Sequence, residues 1–388
     1  MRPIIIALLL CLPFLSYAQV RNDHVGEPVS HGVGVDVRSS VIARTNDFFK
    51  GNNASGKPLY ASGAVHLKYS LMTSRLWQGV GVGIHPFFNQ AEIGTPVSLY
   101  VFQGARIARL SESLSLDYEW NFGASFGWKP YDEVTNPYND VVGSKVNAYI
   151  NAGIMLSWRP DPLWTFTFGF DAVHFSNGNT GYPNLGVNTL GIRAGAVRRA
   201  ACGSERLTEY LTMKPVEKGS FKDRLTYDLV IYGAGKKHAA VIFDNVYVPK
   251  SYFAVAGINV GPMYRVATCL RAGLSFDFQY DESAGLEGRI AGVNEQGEVR
   301  FYRPPLEEQF TAGLSLRAEL VMPVFSVNVG IGYNLYDKDV TRKKVYQIAA
   351  LKTDITSRLF VHVGYRLYDF SEPDNLMLGL GWRFGNCD

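Results

Sequence analysis

The sequence predicts an all-β protein, a transmembrane antiparallel up-and-down β-barrel of about 14–16 strands. Three observations lead there. Apolar and polar residues alternate in runs of roughly the 9–11 residues that cross a bilayer, longer than the 5–6 of an ordinary soluble strand. The composition is glycine-rich and aromatic with few charges: 39 glycines, 13% aromatic and 19% charged residues in 388. Beyond the first residues, no apolar stretch approaches the roughly 20 residues of a membrane helix, and no long 3.6-residue period appears.

From the N-terminus, Arg2 precedes an apolar stretch from Ile4 to Leu15 and then Ser16-Tyr17-Ala18 before Gln19. This pattern predicts a signal peptide over residues 1–18 and a single barrel domain over 19–388, exported to the outer membrane of a Gram-negative cell. Strands are expected near 31–44, 60–72, 79–88, 97–109, 113–126, 146–158, 164–176 and 188–198. The second half continues near 225–247, 251–261, 269–280, 310–321, 324–335, 343–353, 356–368 and 376–384.

The clearest runs are C-terminal. Phe325, Val327, Val329, Ile331, Tyr333 and Leu335 alternate with Ser326, Asn328, Gly330, Gly332 and Asn334. In the last strand Leu376, Leu378, Leu380, Trp382 and Phe384 alternate with Met377, Gly379, Gly381 and Arg383, and the apolar face ends in aromatics as a membrane girdle does. In a single wall, an even strand count requires 225–247 to be one long strand. That wall places the long connections 45–59, 129–145 and 281–309 outside and the link 199–224 in the periplasm.

The net charge of +3 is too small to suggest a nucleic-acid partner. After signal removal Cys202, Cys269 and Cys387 remain, so at most one disulfide forms; Cys202 with Cys387 is the pair that shares a rim. A homodimer is compatible with the sequence, and nothing in it calls for a cofactor or metal.

One stretch carries chemistry. The run from Trp164 to Ser176 alternates, so His174 and Ser176 share a face with Trp164, Phe166, Phe168 and Phe170, the side turned to lipid. The loop 177–187 turns the chain, and Asn188 joins the apolar face of the returning strand with Leu190, Ile192, Ala194 and Ala196. Each polar group there costs free energy in hydrocarbon unless it finds a partner. Acyl transfer suits them: Ser176 as nucleophile, His174 as base, and the amide oxygen of Asn188 as the acceptor that fixes the imidazole tautomer. Backbone N–H groups at Asn177 and Gly178 are the candidates for an oxyanion hole. The plainer account makes His174 and Ser176 interfacial polar residues marking where the bilayer ends. His66, His85 and His362 lie in strand-like runs and are assigned no role.

The residues His174-Phe175-Ser176-Asn177 and Pro183-Asn184-Leu185-Gly186 resemble the lipid A deacylases of the PagL type, also called acyloxyacyl hydrolases. Trp128-Lys129-Pro130-Tyr131, Asn136-Pro137 and Gly143-Ser144 match more loosely. The resemblance implies a membrane-embedded esterase acting on lipid A, with His174 as base, Ser176 as nucleophile and Asn177 at the oxyanion hole. The family pattern has a glutamate where this chain has Asn188, and its barrels are smaller, which implies added strands or loops. The same residues are similar to outer-membrane phospholipase A, whose run is His-x-Ser-Asn-Gly with an asparagine as third member. That enzyme needs calcium, and Gly178 to Val187 contains no carboxylate. A porin-like or structural barrel, with Arg271, Asp277, Arg317 and Glu319 facing the lumen, is the non-enzymatic alternative.

Overall fold

The computed structural model describes residues 29–73, 75–201, 220–237, 240–242, 245–247, 252–267, 269–286, 289–293, 299–321, 325–370 and 372–385. The proposed signal peptide and the Cys202–Cys387 pairing lie outside the described residues.

The chain is all antiparallel β, and it closes twice. The first barrel comprises β1 (Ser30–Ile42), β2 (Ala61–Met72), β3 (Leu76–Ile84), β4 (Gly94–Arg109), β5 (Leu114–Trp128), β6 (Val146–Trp158), β7 (Trp164–Ser176) and β8 (Val187–Ala201). Each strand pairs with the next, and β8 returns to β1 with Ser30 opposite Ala201 and Ile42 opposite Thr189. The second half contains β9 (Leu225–Lys236), β10 (Ala240–Ile242), β11 (Asn245–Tyr247), β12 (Phe253–Ala267), β13 (Leu270–Asp281), β14 (Ile290–Val293), β15 (Val299–Phe301), β16 (Phe310–Val321), β17 (Ser326–Asp337), β18 (Val345–Asp354), β19 (Leu359–Tyr368) and β20 (Glu372–Gly385). Its second closed barrel runs β12-β13-β16-β17-β18-β19-β20-β9, sealed by β20 on β9.

The single wall expected over 19–388 is therefore two walls of eight strands. Side-chain alternation reports which face a residue takes but not which strand covers an edge, so closure of β8 on β1 leaves no local mark. With each barrel even by itself, parity no longer forces 225–247 to be one strand. It ends at Lys236, and β10 and β11 form a hairpin of their own. Residues 202–219 of the link placed in the periplasm lie outside the described residues.

An eight-stranded barrel is just wide enough for its side chains to fill, and both interiors are filled with paired charges. In the first, Arg193 meets Asp36 at 2.7 Å and Glu119 at 2.9 Å, Lys68 meets Asp36 at 2.8 Å, and Arg38 meets Asp171 at 2.7 Å. In the second, Arg271 meets Glu319 at 2.7 Å and Asp228 at 3.0 Å, and Arg317 meets Asp277 at 2.7 Å. Arg271, Asp277, Arg317 and Glu319 thus face inward as expected, but all four are buried in ion pairs instead of lining a wet pore. The outward faces are apolar: Val33, Val35, Val37 and Val41 on β1 are exposed, as are Leu274, Phe276 and Phe278 on β13.

The connections of the first barrel sort by end. Residues 110–113 and 159–163 make short turns at one end; 43–60, 85–93, 129–145 and 177–186 make long connections at the other. The first of these carries the short helix α1 (Asp47–Lys50), capped by Asn46, whose Phe48 and Phe49 are buried. They join Phe87, Ile93, Trp128, Val141 and Val142 in an apolar cluster that continues into the barrel through Tyr149 and Phe175.

Candidate active site

Strand β7 alternates along its length, with Thr165, Gly169, Asp171, Val173 and Phe175 buried inside and Phe166, Phe168 and Phe170 exposed outside. His174 and Ser176 fall in the outward phase, half-buried, at the end that carries the long connections. Between them Phe175 points inward, its ring 5.0 Å from that of Trp128, 5.4 Å from Tyr149 and 5.1 Å from His85. Rigid packing on the inner face therefore fixes the direction of the two polar side chains on the outer one.

The ladder of β7 with β8 sets His174 directly opposite Asn188. Asn188 is half-buried on the outer face, and its Oδ1 lies 2.8 Å from His174 Nδ1. The amide oxygen can only accept, so Nδ1 carries the proton and the lone pair is left on Nε2. Among the described residues no hydrogen bond links Ser176 to His174; such a bond often tightens only with substrate in place.

Asn177 is turned inward and buried. Its N–H donates to Asn184 Oδ1 at 2.9 Å, so that donor is already engaged. Gly178 follows at φ +60, the left-handed region that glycine enters without cost. Asn184 was not singled out for a role in the sequence; its signal was the Pro183-Asn184-Leu185-Gly186 motif itself.

Gly186 is a second residue that alternation could not assign. It adopts φ +69, and a Cβ there would stand 2.8 Å from Phe175 O, 3.3 Å from His174 Cε1 and 3.6 Å from Ser176 Cβ. The loop backbone thus packs close against both polar groups, where no side chain fits. The Gly186 N–H donates to Val141 O at 3.2 Å, which ties the loop to the connection 129–145. That connection is itself held by side-chain amides, with Asn139 Nδ2 donating to Glu92 O at 3.0 Å and to Lys129 O at 2.9 Å.

His66, His85 and His362 are buried inside the barrels, His66 donating or accepting at Tyr100 Oη over 2.9 Å and His85 at Ser98 Oγ over 2.8 Å. Among the described residues of the second barrel His362 is the one histidine, and it faces inward, so that barrel offers no second outward base. No group of three or more His, Cys, Asp or Glu side chains among the described residues is arranged to hold a metal ion.

A closed antiparallel wall, apolar outside and ionic within, with long connections at one end, is that of a transmembrane β-barrel. Residues 54–196 match the family model of lipid A 3-O-deacylase (PagL), and residues 225–386 match that of the acyloxyacyl hydrolase C-terminal domain. The chain belongs to this family of PagL-type lipid A deacylases and acyloxyacyl hydrolases, and is an outer-membrane β-barrel and an ester hydrolase. The first match contains His174, Ser176, Asn177, Gly178 and Asn188; the second coincides with the second barrel, which accounts for the extra length.

No curated protein sequence matches the chain. Among solved structures, Neisserial surface protein A is similar at 11% identity with a TM-score of 0.32, over 44% of this chain and 99% of that one. The siderophore receptor PirA from Acinetobacter baumannii is similar at 9% identity with a TM-score of 0.24, over 89% of this chain and 69% of that one.

Proposed function

We propose that this chain removes an ester-linked acyl chain from lipid A through a seryl acyl-enzyme built on the outer face of β7 and β8. Ser176 Oγ attacks the ester carbonyl as His174 Nε2 takes its proton. The tetrahedral intermediate collapses, breaking the bond to the sugar oxygen, and His174 returns the proton to that leaving hydroxyl. Water, deprotonated by the same imidazole, then hydrolyses the acyl-serine and frees the fatty acid. The Gly178 N–H is the candidate to receive the oxyanion, and Asn177 adds its own once Asn184 exchanges partner. The site needs no metal in this scheme, and the enzyme reaches the outer membrane by way of a signal peptide cleaved after Ala18.

The 2.8 Å contact between Asn188 and His174 carries this reading. A polar pair on a lipid-facing strand is costly, and this geometry gives the imidazole the tautomer that a base requires. The neutral third member also favours a second reading, a phospholipase, since the similar outer-membrane phospholipase A has an asparagine as its third member.

The test is mass spectrometry of lipid A and phospholipids exposed to the purified barrel with and without calcium. Loss of one acyl chain from lipid A, abolished in Ser176→Ala and His174→Ala at unchanged far-UV circular dichroism, is the expected outcome. Normal deacylation by Ser176→Ala would refute the nucleophile. Calcium-dependent release from phosphatidylethanolamine with lipid A untouched would establish the phospholipase instead.

A further inference from the structure

We propose that Arg44 and Lys145 act as a two-point clamp for the phosphates of a phosphorylated glycolipid, holding it astride β7 and β8 with its ester at Ser176. The inference rests on the deacylase reading above.

Both residues are tied to the site by the ladder. Ala43 N–H donates to Asn188 O at 2.8 Å, so Arg44 leaves β1 at the level where β8 begins. On the other flank, Lys145 stands three residues before Ala148, the β6 partner of Ser176. Strand order β6-β7-β8-β1 therefore puts the two cations on either side of the outward His174, Ser176 and Asn188. They are three strand spacings apart, roughly 14 Å along the wall. A disaccharide headgroup bearing a phosphate at each end is matched to a separation of that order.

Their place and their state together set them apart: Lys57 and Lys129 at the same end are exposed too, but they adjoin β2 and β5, a strand farther from the site. Lys50, on the same long connection as Arg44, is neutralised by Asp47 at 2.8 Å. Arg159, at the opposite end of the barrel, is neutralised by Asp117 at 3.0 Å. Arg44 and Lys145 are exposed, and among the described residues neither has a carboxylate partner. Arg44 is nonetheless held in place, its guanidinium 4.6 Å from the centre of the Tyr60 ring. A cation held over a ring face keeps N–H donors that can bind a phosphate in a fork. A lipid enters this site sideways from the bilayer, so its anionic headgroup arrives at the rim while its acyl chains lie against Phe166, Phe168 and Phe170. Two uncompensated cations at that height attract the phosphates and repel none of the apolar chains.

The experiment compares lipid A with its chemically dephosphorylated form in mixed micelles, for the wild type and for the Arg44→Ala/Lys145→Ala double variant. The wild type should favour the phosphorylated substrate by about ten-fold in kcat/KM, with the preference shrinking in high salt. In the double variant the preference should fall to within about two-fold, through KM rather than kcat, whereas Arg44→Lys/Lys145→Arg should keep most of it. The conservative pair reports on the charge even where the alanine pair fails to insert. A double variant that keeps the full preference, or a wild type that cleaves both forms equally, would overturn the clamp and leave the deacylase reading standing. A wild type that cleaves neither form would remove both.

Discussion

Asn188 Oδ1 accepts from His174 Nδ1 at 2.8 Å across a ladder in which the two residues are exact opposites in register. A neutral amide orients the imidazole but supplies no charge to stabilise an imidazolium. Asn188→Ala should lower kcat on the order of 10²-fold by releasing the tautomer. Asn188→Glu, which supplies that charge, should match or exceed the wild type. Steady-state release of fatty acid from lipid A measures both.

Gly186 should not tolerate a side chain. Its φ of +69 strains any L-residue, and the added Cβ would press on Phe175 O at 2.8 Å and His174 Cε1 at 3.3 Å. Gly186→Ala is expected to destabilise the barrel by about 1–2 kcal/mol. It should also lower kcat more than ten-fold, because the added methyl crowds the His174 ring 3.3 Å away and shifts it from its place beside Ser176. Activity at the wild-type level in a folded Gly186→Ala protein would show that the imidazole keeps its place despite the added methyl.

The ion pairs inside the first barrel set its stability. Arg193 lies between Asp36 at 2.7 Å and Glu119 at 2.9 Å. Arg193→Met leaves two buried carboxylates competing for Lys68, and the expected cost is about 3–5 kcal/mol. A lowered urea midpoint in detergent is the readout. An unchanged midpoint would mean that water enters the interior and solvates the acids.

Packed, paired interiors also predict that the purified protein conducts no ions in planar bilayers. Arg271 and Lys352 together balance Glu319 and Asp228 within the second barrel, with Arg271 at 2.7 Å and 3.0 Å from the two acids. Stable single-channel steps would count against this and in favour of a porin.

Much of the wall was legible because lipid outside and ion pairs inside impose a two-residue period. Strands at 146–158, 164–176 and 310–321 were read with the bounds they have in the structure, and the outward phase of His174, Ser176 and Asn188 followed from the same alternation. The end of β9 at Lys236 was not legible. Its lysines could as well have crossed a rim, and only the ion pairs of Lys236 with Asp281 at 3.1 Å and Asp374 at 2.6 Å fix where the wall stops. Gly186 was read only as part of the Pro183-Asn184-Leu185-Gly186 motif, because a loop residue has no alternation to place it beside the site.

By itself the sequence determined the class of solvent on each face of the chain, and with it the strands, their lengths and the side to which a hydroxyl, an imidazole and an amide project. The tertiary structure decided how many times the wall closes and which strand meets which. Facing depends on a residue's neighbours in the chain, so a pattern of twos records it. Closure depends on hydrogen bonds between the edges of β1 and β8, which are backbone groups common to every residue, and side chains carry no trace of that choice.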